Sequence, residues 1–407
     1  MMLLHLLIFS IIATVTSKKS YDGHIVISVT PFEESHYKLL SALEERKEID
    51  IWNEIRRNAS VDVMIHQKNK ASWMKVFASL GMKPSMVIDD VQKLLNSEQQ
   101  MLNIQSRSGI RGVTDTFLTY DEINAYLKQM ESEYPGLAAV QSIGLTVENR
   151  NLNLIKIGSP SARRNAFLDC GIHAREWISP ATCLYMINEF LTGYSKGGDA
   201  KQILDTYTLH ILPLLNPDGY AYSHSRDRMW RKNRKPVGSN CFGVDLNRNF
   251  GYMWNTGGSS ASPCSDTFHG GAAMSENEAK AMQSYMTNKP WDTYLTFHSY
   301  GQWWFTNWGY TNTLPPGYTE LVAKAKIGAD ALRSVNGRSY TIGSSAVLLY
   351  VASGGSEDWT RGALNIKYSY CLELPPTGGT GFIAPISEIK KTGAETFKGV
   401  CEYLKAI

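Results

Sequence analysis

Gly171-Ile172-His173-Ala174-Arg175-Glu176-Trp177 follows directly on the apolar run Ala166-Phe167-Leu168-Asp169-Cys170. A strand ending in a polar turn that carries His and Glu three residues apart can aim an imidazole nitrogen and a carboxylate oxygen at one point. A catalytic zinc asks this of two of its three protein ligands. The third must come from elsewhere, and the best candidate is His298 in Thr293-Tyr294-Leu295-Thr296-Phe297-His298-Ser299-Tyr300, at the polar end of a second strand-like run. H-x-x-E is a weak pattern by itself, so the surrounding chain has to supply the context.

From Thr114 onward strand-like and helical patterns alternate, which predicts an α/β sheet with helices on both faces. Strands are expected over 140–143, 152–157, 165–169, 209–215, 294–298 and 367–374, and helices over 120–134, 181–191, 276–287, 319–334 and 394–406; Asn216-Pro217-Asp218-Gly219 reads as a turn. In open α/β sheets ligands bind beyond the carboxyl ends of the strands. His173 with Glu176, His298 and Glu373 all fall at or just after such ends. Glu373 closes the otherwise apolar Tyr368-Ser369-Tyr370-Cys371-Leu372-Glu373-Leu374, where a buried carboxylate must be paired, protonated or at work near a metal.

Residues 18 to about 104 read as a separate small α+β unit of order β, α, β, α, β, α: strands at 24–29, 62–66 and 85–88, helices at 33–45, 70–81 and 91–101. An open sandwich of the split βαβ type accounts for that order. The polar stretch from Asn103 to Val113 is the expected linker, and Arg107 or Arg111 within it is a candidate cut for a trypsin-like protease. Met1 to Ser17 is Leu-rich, then softens to small residues, as a secretory signal does, and is short for a membrane span of about 20 residues. Asn58-Ala59-Ser60 is an N-glycosylation pattern in a secreted chain.

Over 407 residues, 43% hydrophobic content allows a sizeable core, and a net charge of +3 without a basic block does not point to nucleic acid. No later segment is apolar enough to span a bilayer, and the chain is expected to be a monomer. Secretion makes the 6 cysteines readable as disulfide candidates. Cys170 with Cys183 would brace the His173 segment, and Cys241 with Cys264 would close a Gly- and Ser-rich loop; Cys371 and Cys401 read as buried thiols.

Taken with Gly171 to Pro180, the stretches Asn216-Pro217-Asp218-Gly219-Tyr220, Met229-Trp230-Arg231-Lys232-Asn233-Arg234, Gly243-Val244-Asp245-Leu246-Asn247-Arg248-Asn249-Phe250 and Ala352-Ser353-Gly354-Gly355-Ser356 make the chain resemble a digestive-type zinc metallocarboxypeptidase of the A/B subfamily. The resemblance covers nearly the whole chain after the signal. It implies a signal peptide over 1–17, an activation prosegment over 18–111 of ferredoxin-like fold, and a mixed-sheet α/β/α catalytic domain over 112–407.

It further implies that His173, Glu176 and His298 hold one zinc, and that Glu373 is the general base. Arg231 matches the oxyanion residue, and Asn247 with Arg248 match the carboxylate clamp for a free C-terminus. Tyr350 matches a mobile tyrosine beside the flexible glycines, and Arg175, Ser299, Tyr300 and Phe382 match outer subsite or pocket positions. The partners implied are peptides with a free C-terminus and an activating trypsin-like protease.

The sequence departs from the family at two points. At the pocket base, where A-type enzymes carry an apolar residue and B-type enzymes Asp, this chain has Glu357, with Gly309 as in the A-type and Ser345 as in neither. A buried carboxylate favours a substrate that brings a cation, hence C-terminal Lys or Arg; if Glu357 turned to Arg361 instead, apolar residues would be preferred. Pro375-Pro376 replaces the usual Arg-Asp after the catalytic Glu. A catalytically inactive peptide-binding relative would have lost Glu373 or a zinc ligand, and all are present.

Overall fold

The computed structural model describes residues 17–407 apart from 54, 56–58, 109–111, 239 and 376–378. Residues 1–16 of the expected signal segment, and with them Asn58, Arg111 and Pro376, lie outside the described residues.

The N-terminal unit runs β1 (His24–Val29), α1 (Glu34–Glu45), β2 (Asp50–Ile51), β3 (Val61–His66), α2 (Lys70–Ser79), β4 (Ser85–Ile88) and α3 (Val91–Ser108). Its strands form one antiparallel sheet of order β2-β3-β1-β4, the ferredoxin-like arrangement. The sequence pattern gives three strands; the structure adds β2, a two-residue edge too short to show any period. Alternation along β1 divides the labour of the sheet. Ile25, Ile27 and Val29 pack under Leu40, Leu43 and Phe77, whereas Val26, with Met64 and Ile88, turns to Met229, Tyr300 and Phe382 of the second unit. The expected linker is shorter than its polarity suggests, since Asn103 to Ser108 continue α3.

The second unit contains α4 (Tyr120–Glu133), β5 (Ala138–Leu145), β6 (Asn151–Ile157), β7 (Arg164–Cys170), α5 (Ile178–Tyr194), α6 (Gly198–Thr206), β8 (Tyr207–Leu212), α7 (Pro217–Ser225), the hairpin β9 (Pro236–Gly238) and β10 (Cys241–Phe242), α8 (Asn277–Met286), β11 (Thr293–Ser299), β12 (Trp303–Thr306), α9 (Tyr318–Asn336), β13 (Thr341–Ser344), α10 (Ser345–Leu348), α11 (Ser356–Gly362), β14 (Tyr368–Leu374) and α12 (Glu388–Ala406). Among the described residues the large sheet has the order β13-β12-β14-β11-β7-β8-β6-β5. Its centre is parallel, β8 to β7 to β11 to β14, and its outer strands include antiparallel pairs. One core lies under α4, α5, α6, α9 and α12, and a second on the opposite face under α8 and α11. This is the expected mixed-sheet α/β/α architecture.

Some boundaries move for identifiable reasons. The strand expected to reach Leu215 stops at Leu212, before Pro213, which has no N–H for the ladder. Asn216 to Gly219 is the start of α7 and no isolated turn: the Asn216 side chain accepts from Gly219 N (2.9 Å) and Pro217 occupies the first helical position. α5 begins at Ile178, with Pro180 in its first turn, where a proline is tolerated. No helix among the described residues is long and apolar enough to cross a membrane.

Candidate active site

Three neighbouring parallel strands deliver the chemistry to one edge of the sheet. The β11/β14 register sets His298 beside Glu373, and the β7/β11 register sets Cys170 beside Phe297, so the turn after β7 emerges next to His298. Gly171 makes that turn at φ +67°, and a Cβ there would lie 2.7 Å from Leu214 Cδ1. Ser179 Oγ accepts from Gly171 N (3.0 Å), Asn216 Nδ2 donates to Ile172 O (3.0 Å), and the Cys170–Cys183 disulfide ties the strand end to α5. The segment bearing His173 and Glu176 is therefore held on several sides.

His173 Nδ1 lies 2.8 Å from Glu176 Oε1 and 3.2 Å from His298 Nδ1, and His298 Nδ1 lies 3.5 Å from Glu176 Oε2. All three residues are buried, and one ligand atom from each falls within 4.8 Å of the others. Burial pulls the His298 imidazole down, yet Glu176, Glu373 and Glu357 hold it up to about 9. Burial pushes Glu176 up, yet the two imidazoles hold it well below the usual carboxylate range. The cluster thus calls for positive charge at its centre, and its N, N, O donor set suits a zinc ion.

Behind His173 stands Asp245, a residue whose part is not evident from the motifs. Its Oδ1 is 3.1 Å from His173 Nε2, and its Oδ2 accepts from Arg231 Nη2 (3.0 Å) and Nε (3.2 Å). Burial pushes this carboxyl up, and Arg231, His173 and Arg248 overcome that and hold it well below its ordinary range. Asp245 fixes which His173 nitrogen faces the cluster and anchors Arg231 at the same time. The readable signal was a single acid inside Gly243 to Phe250 combined with the rule that a ligating His needs an outer partner.

Asn247 and Arg248 follow on the 3₁₀ turn Leu246–Arg248. Asn247 Oδ1 accepts from Ser356 N (2.9 Å), which leaves its NH2 end to face a ligand. Arg248 donates to Asn247 O (3.0 Å), Gly258 O (3.2 Å) and the Tyr350 hydroxyl (3.2 Å). Gly354, at φ +82°, lets its backbone approach Arg248 so closely that a Cβ would lie 2.3 Å from Arg248 O. A cavity of ≈ 50 Å³ opens beside them, lined by Glu357, Ser345, Gly309, Phe305, Cys371 and Glu373 among others. Cys371 reaches this wall because it sits two residues before Glu373 on β14 and so shares its face.

Glu357 is 7% exposed and faces the cavity. Arg361, the alternative partner expected from sequence, instead donates to Lys367 O and Pro316 O. Next to Glu357, Asp358 accepts from Gly309 N (2.8 Å), Tyr310 N (3.0 Å) and Asn307 Nδ2 (3.1 Å), which holds Gly309 in the cavity lining. Burial, then the charge of Glu357, pushes the Asp358 carboxyl up to about 7.

Comparison with known proteins assigns this arrangement. Residues 123–399 match the model of the family described as zinc carboxypeptidase. The chain belongs to the zinc carboxypeptidase family. Residues 27–98 match the carboxypeptidase activation peptide. The chain is 44% identical over 288 residues to carboxypeptidase B of Astacus astacus, covering 69% of this chain and 93% of that one. It is 36% identical to carboxypeptidase A1 of Bos taurus over 97% of this chain and 96% of the other. The solved carboxypeptidase A from Helicoverpa armigera superposes with a TM-score of 0.86 at 28% identity, covering 95% of this chain and 98% of that one. The protein is a metallocarboxypeptidase with an activation peptide, and relatives carry both A and B names.

In this carboxypeptidase the expected outer-subsite residues grip the activation peptide. Arg175 donates to Asp50 Oδ1 (3.1 Å) and Ile51 O (3.0 Å). Tyr300 OH donates to Asp62 Oδ2 (2.8 Å), and Phe382 packs on Trp52 with ring centroids 5.6 Å apart. Ser299 gives its N–H to Glu176 Oε2 (3.2 Å), and Tyr350 packs against the core of the peptide domain. Beneath lies a cleft of ≈ 420 Å³ reaching Glu176, Arg231 and Glu373. Cys241 and Cys264 form the second disulfide, and Cys371 and Cys401 are buried thiols.

Proposed function

We propose that the protein is secreted as a zymogen whose catalytic domain, once the segment around Arg107 to Arg111 is cut, removes single C-terminal residues with preference for Lys and Arg. In this reading residues 1–17 are a signal peptide, 18–111 the prosegment and 112–407 the enzyme. Arg107 belongs to the last turn of α3, which a protease would have to unwind. The observation that carries the basic preference is Glu357 lining the small cavity between the Asn247/Arg248 pair and Glu373. A carboxylate walled in by Phe305 and Leu349 is stabilised by a substrate cation and disfavours an apolar side chain.

His173, Glu176 and His298 would hold one zinc, which when bound supplies Lewis-acid polarisation of the scissile carbonyl and lowers the pKa of water. Asn247 and Arg248 bind the terminal carboxylate, the guanidinium through parallel donors, and so fix which peptide bond meets Glu373. Glu373 takes the proton of the attacking water and returns it to the leaving amine. Arg231, steadied by Asp245, faces the oxygen on which negative charge grows. Tyr350, bonded to Arg248 while the prosegment covers it, is released to close over the substrate end.

The test uses trypsin-treated, zinc-loaded protein and matched blocked peptides ending in Lys, Arg, Phe or Leu, with a chelator control and Glu373→Gln. Faster release of Lys and Arg that is lost in Glu357→Ile is the expected result. Faster release of Phe or Leu by the parent enzyme would assign the A-type preference. Absence of chelator-sensitive release of any residue would refute the assignment of these residues to catalysis.

A further inference from the structure

We infer that the pocket is a lysine pocket that discriminates against arginine, a refinement that rests on the basic preference proposed above. The first ground is room. Glu357, near the start of α11, lines a cavity of ≈ 50 Å³, so any entering side chain must widen it, and a planar guanidinium must widen it more than a compact ammonium. A lysine side chain carries its charge on Nζ, four bonds beyond Cβ. An arginine carries its outermost donors one bond farther and spreads them across a planar fork. The Glu357 carboxylate lies beside Gly355, where a Cβ would fall 2.8 Å from Oε2, and from that wall it meets the slimmer, shorter cation with less displacement of its neighbours.

The second ground is the chemistry of the walls. An ammonium is a compact point with three donors and needs acceptors converging from different directions. Besides Glu357, Ser345 at the start of α10 lines the cavity, and among the described residues its buried Oγ has no hydrogen-bond partner. That hydroxyl lies on the Gly309 side of the pocket: a Cβ built on Gly309 would be 3.3 Å from it and 3.0 Å from Ala352 O. Glu357 and Ser345 therefore supply the cavity with a carboxylate and a hydroxyl at separate points, which suits a compact donor set better than a flat fork. Phe305 and Cys371, paired across β12 and β14, with Leu349, offer an apolar sleeve for a methylene stem.

The activated enzyme is assayed on peptides that differ only in a terminal Lys, Arg, Phe or Leu. Lys is expected to exceed Arg at least tenfold in kcat/KM. Equal or faster release of Arg, with both basic residues still ahead of Phe and Leu, would overturn this inference and leave the basic preference standing; Phe or Leu ahead of both would overturn the two together. Glu357→Asp withdraws the carboxylate by one methylene and is expected to bring the Lys:Arg ratio down at least fivefold, by a rise in the Arg rate. Ser345→Ala is expected to lower the Lys rate several-fold and the Arg rate by less, so that the Lys:Arg ratio falls. An unchanged ratio in both variants would sink the pocket geometry proposed here. Calorimetric binding of 6-aminohexanoate against 5-guanidinopentanoate, which match Lys and Arg in chain length, reads the same preference without turnover; tighter binding of the guanidine would count against it.

Discussion

At the residue scale, Asp245 is the position on which two functions converge, since one carboxylate oxygen faces His173 and the other receives Arg231. Asp245→Asn keeps the size and removes the charge that both neighbours use. It is expected to lower zinc affinity and kcat/KM by about 10–100-fold, the range for outer partners of metal ligands, as read by chelator competition alongside kinetics. Glu373→Gln should reduce kcat by about 10²–10⁴-fold with KM nearly unchanged, because a general base acts in the transition state. The convergence of His173, Glu176 and His298 was legible because they stand at strand ends, where chain order and sheet geometry together dictate that they meet. Asp245 was less so: the single acid in its motif marks a candidate, but its partner His173 lies 72 residues away in sequence, and no local pattern encodes that contact. The direction of Glu357 was likewise undecided until Arg361 was seen to bond backbone carbonyls instead.

At the scale of elements, the turn from β7 into α5 carries the most constraint per residue. Gly171→Ala puts a Cβ into Leu214 at a positive φ, so it is expected to destabilise the fold by about 1–3 kcal/mol. A thermal melt of the zinc-free protein measures this apart from metal binding. The central parallel strands were readable from sequence because strands buried on both faces appear as mainly apolar runs, and Phe167 to Cys170, interrupted by Asp169, and Tyr294 to Phe297, interrupted by Thr296, are of that kind. β12, β13, α10 and α11 escaped because each is short, and their identity is set by the strands beside them. α3 was read too short because its last turns are mostly polar; they are held by neighbours, with Leu102 against the core of the second unit and Gln105 donating to the Asp115 carbonyl.

At the scale of the whole molecule, the activation peptide is fastened at well-separated points. Arg228 binds Glu98 through Nε (2.8 Å) and Nη2 (3.0 Å), both side chains nearly out of solvent, and stacks on Trp177 with 3.7 Å to the ring centroid. Glu98→Ala removes the carboxylate and leaves Arg228 its bonds to Arg175 O (2.8 Å) and Phe382 O (3.0 Å), so it should weaken docking by about 1–3 kcal/mol, visible as residual activity in the uncut zymogen. The cleft also carries a pH dependence. Burial of Glu44, reinforced by Asp266 and Asp50 and opposed by Arg175 and Arg231, pushes its carboxyl up to about 8. Asp50 is raised as well, by burial against the pull of Arg175. A carboxyl with a higher pKa docked than free favours docking at low pH, and the advantage is lost as pH rises from the free value of 4.5 towards about 8. Latent activity of the zymogen, normalised to the activated enzyme, should therefore rise between about pH 5 and pH 9; a flat or falling ratio would refute the assignment.

Arg175, Tyr300 and Phe382 hold the peptide domain by side chains that, in the function proposed above, an incoming substrate also needs. Cutting the connecting segment breaks none of those contacts, so scission and the onset of catalysis are separate events. The severed domain then behaves as a competitor for its own enzyme, present at equal concentration from the moment it is made. Activity after trypsin addition should lag behind chain cleavage on a gel, and the lag should shorten on dilution or when the freed domain is itself digested.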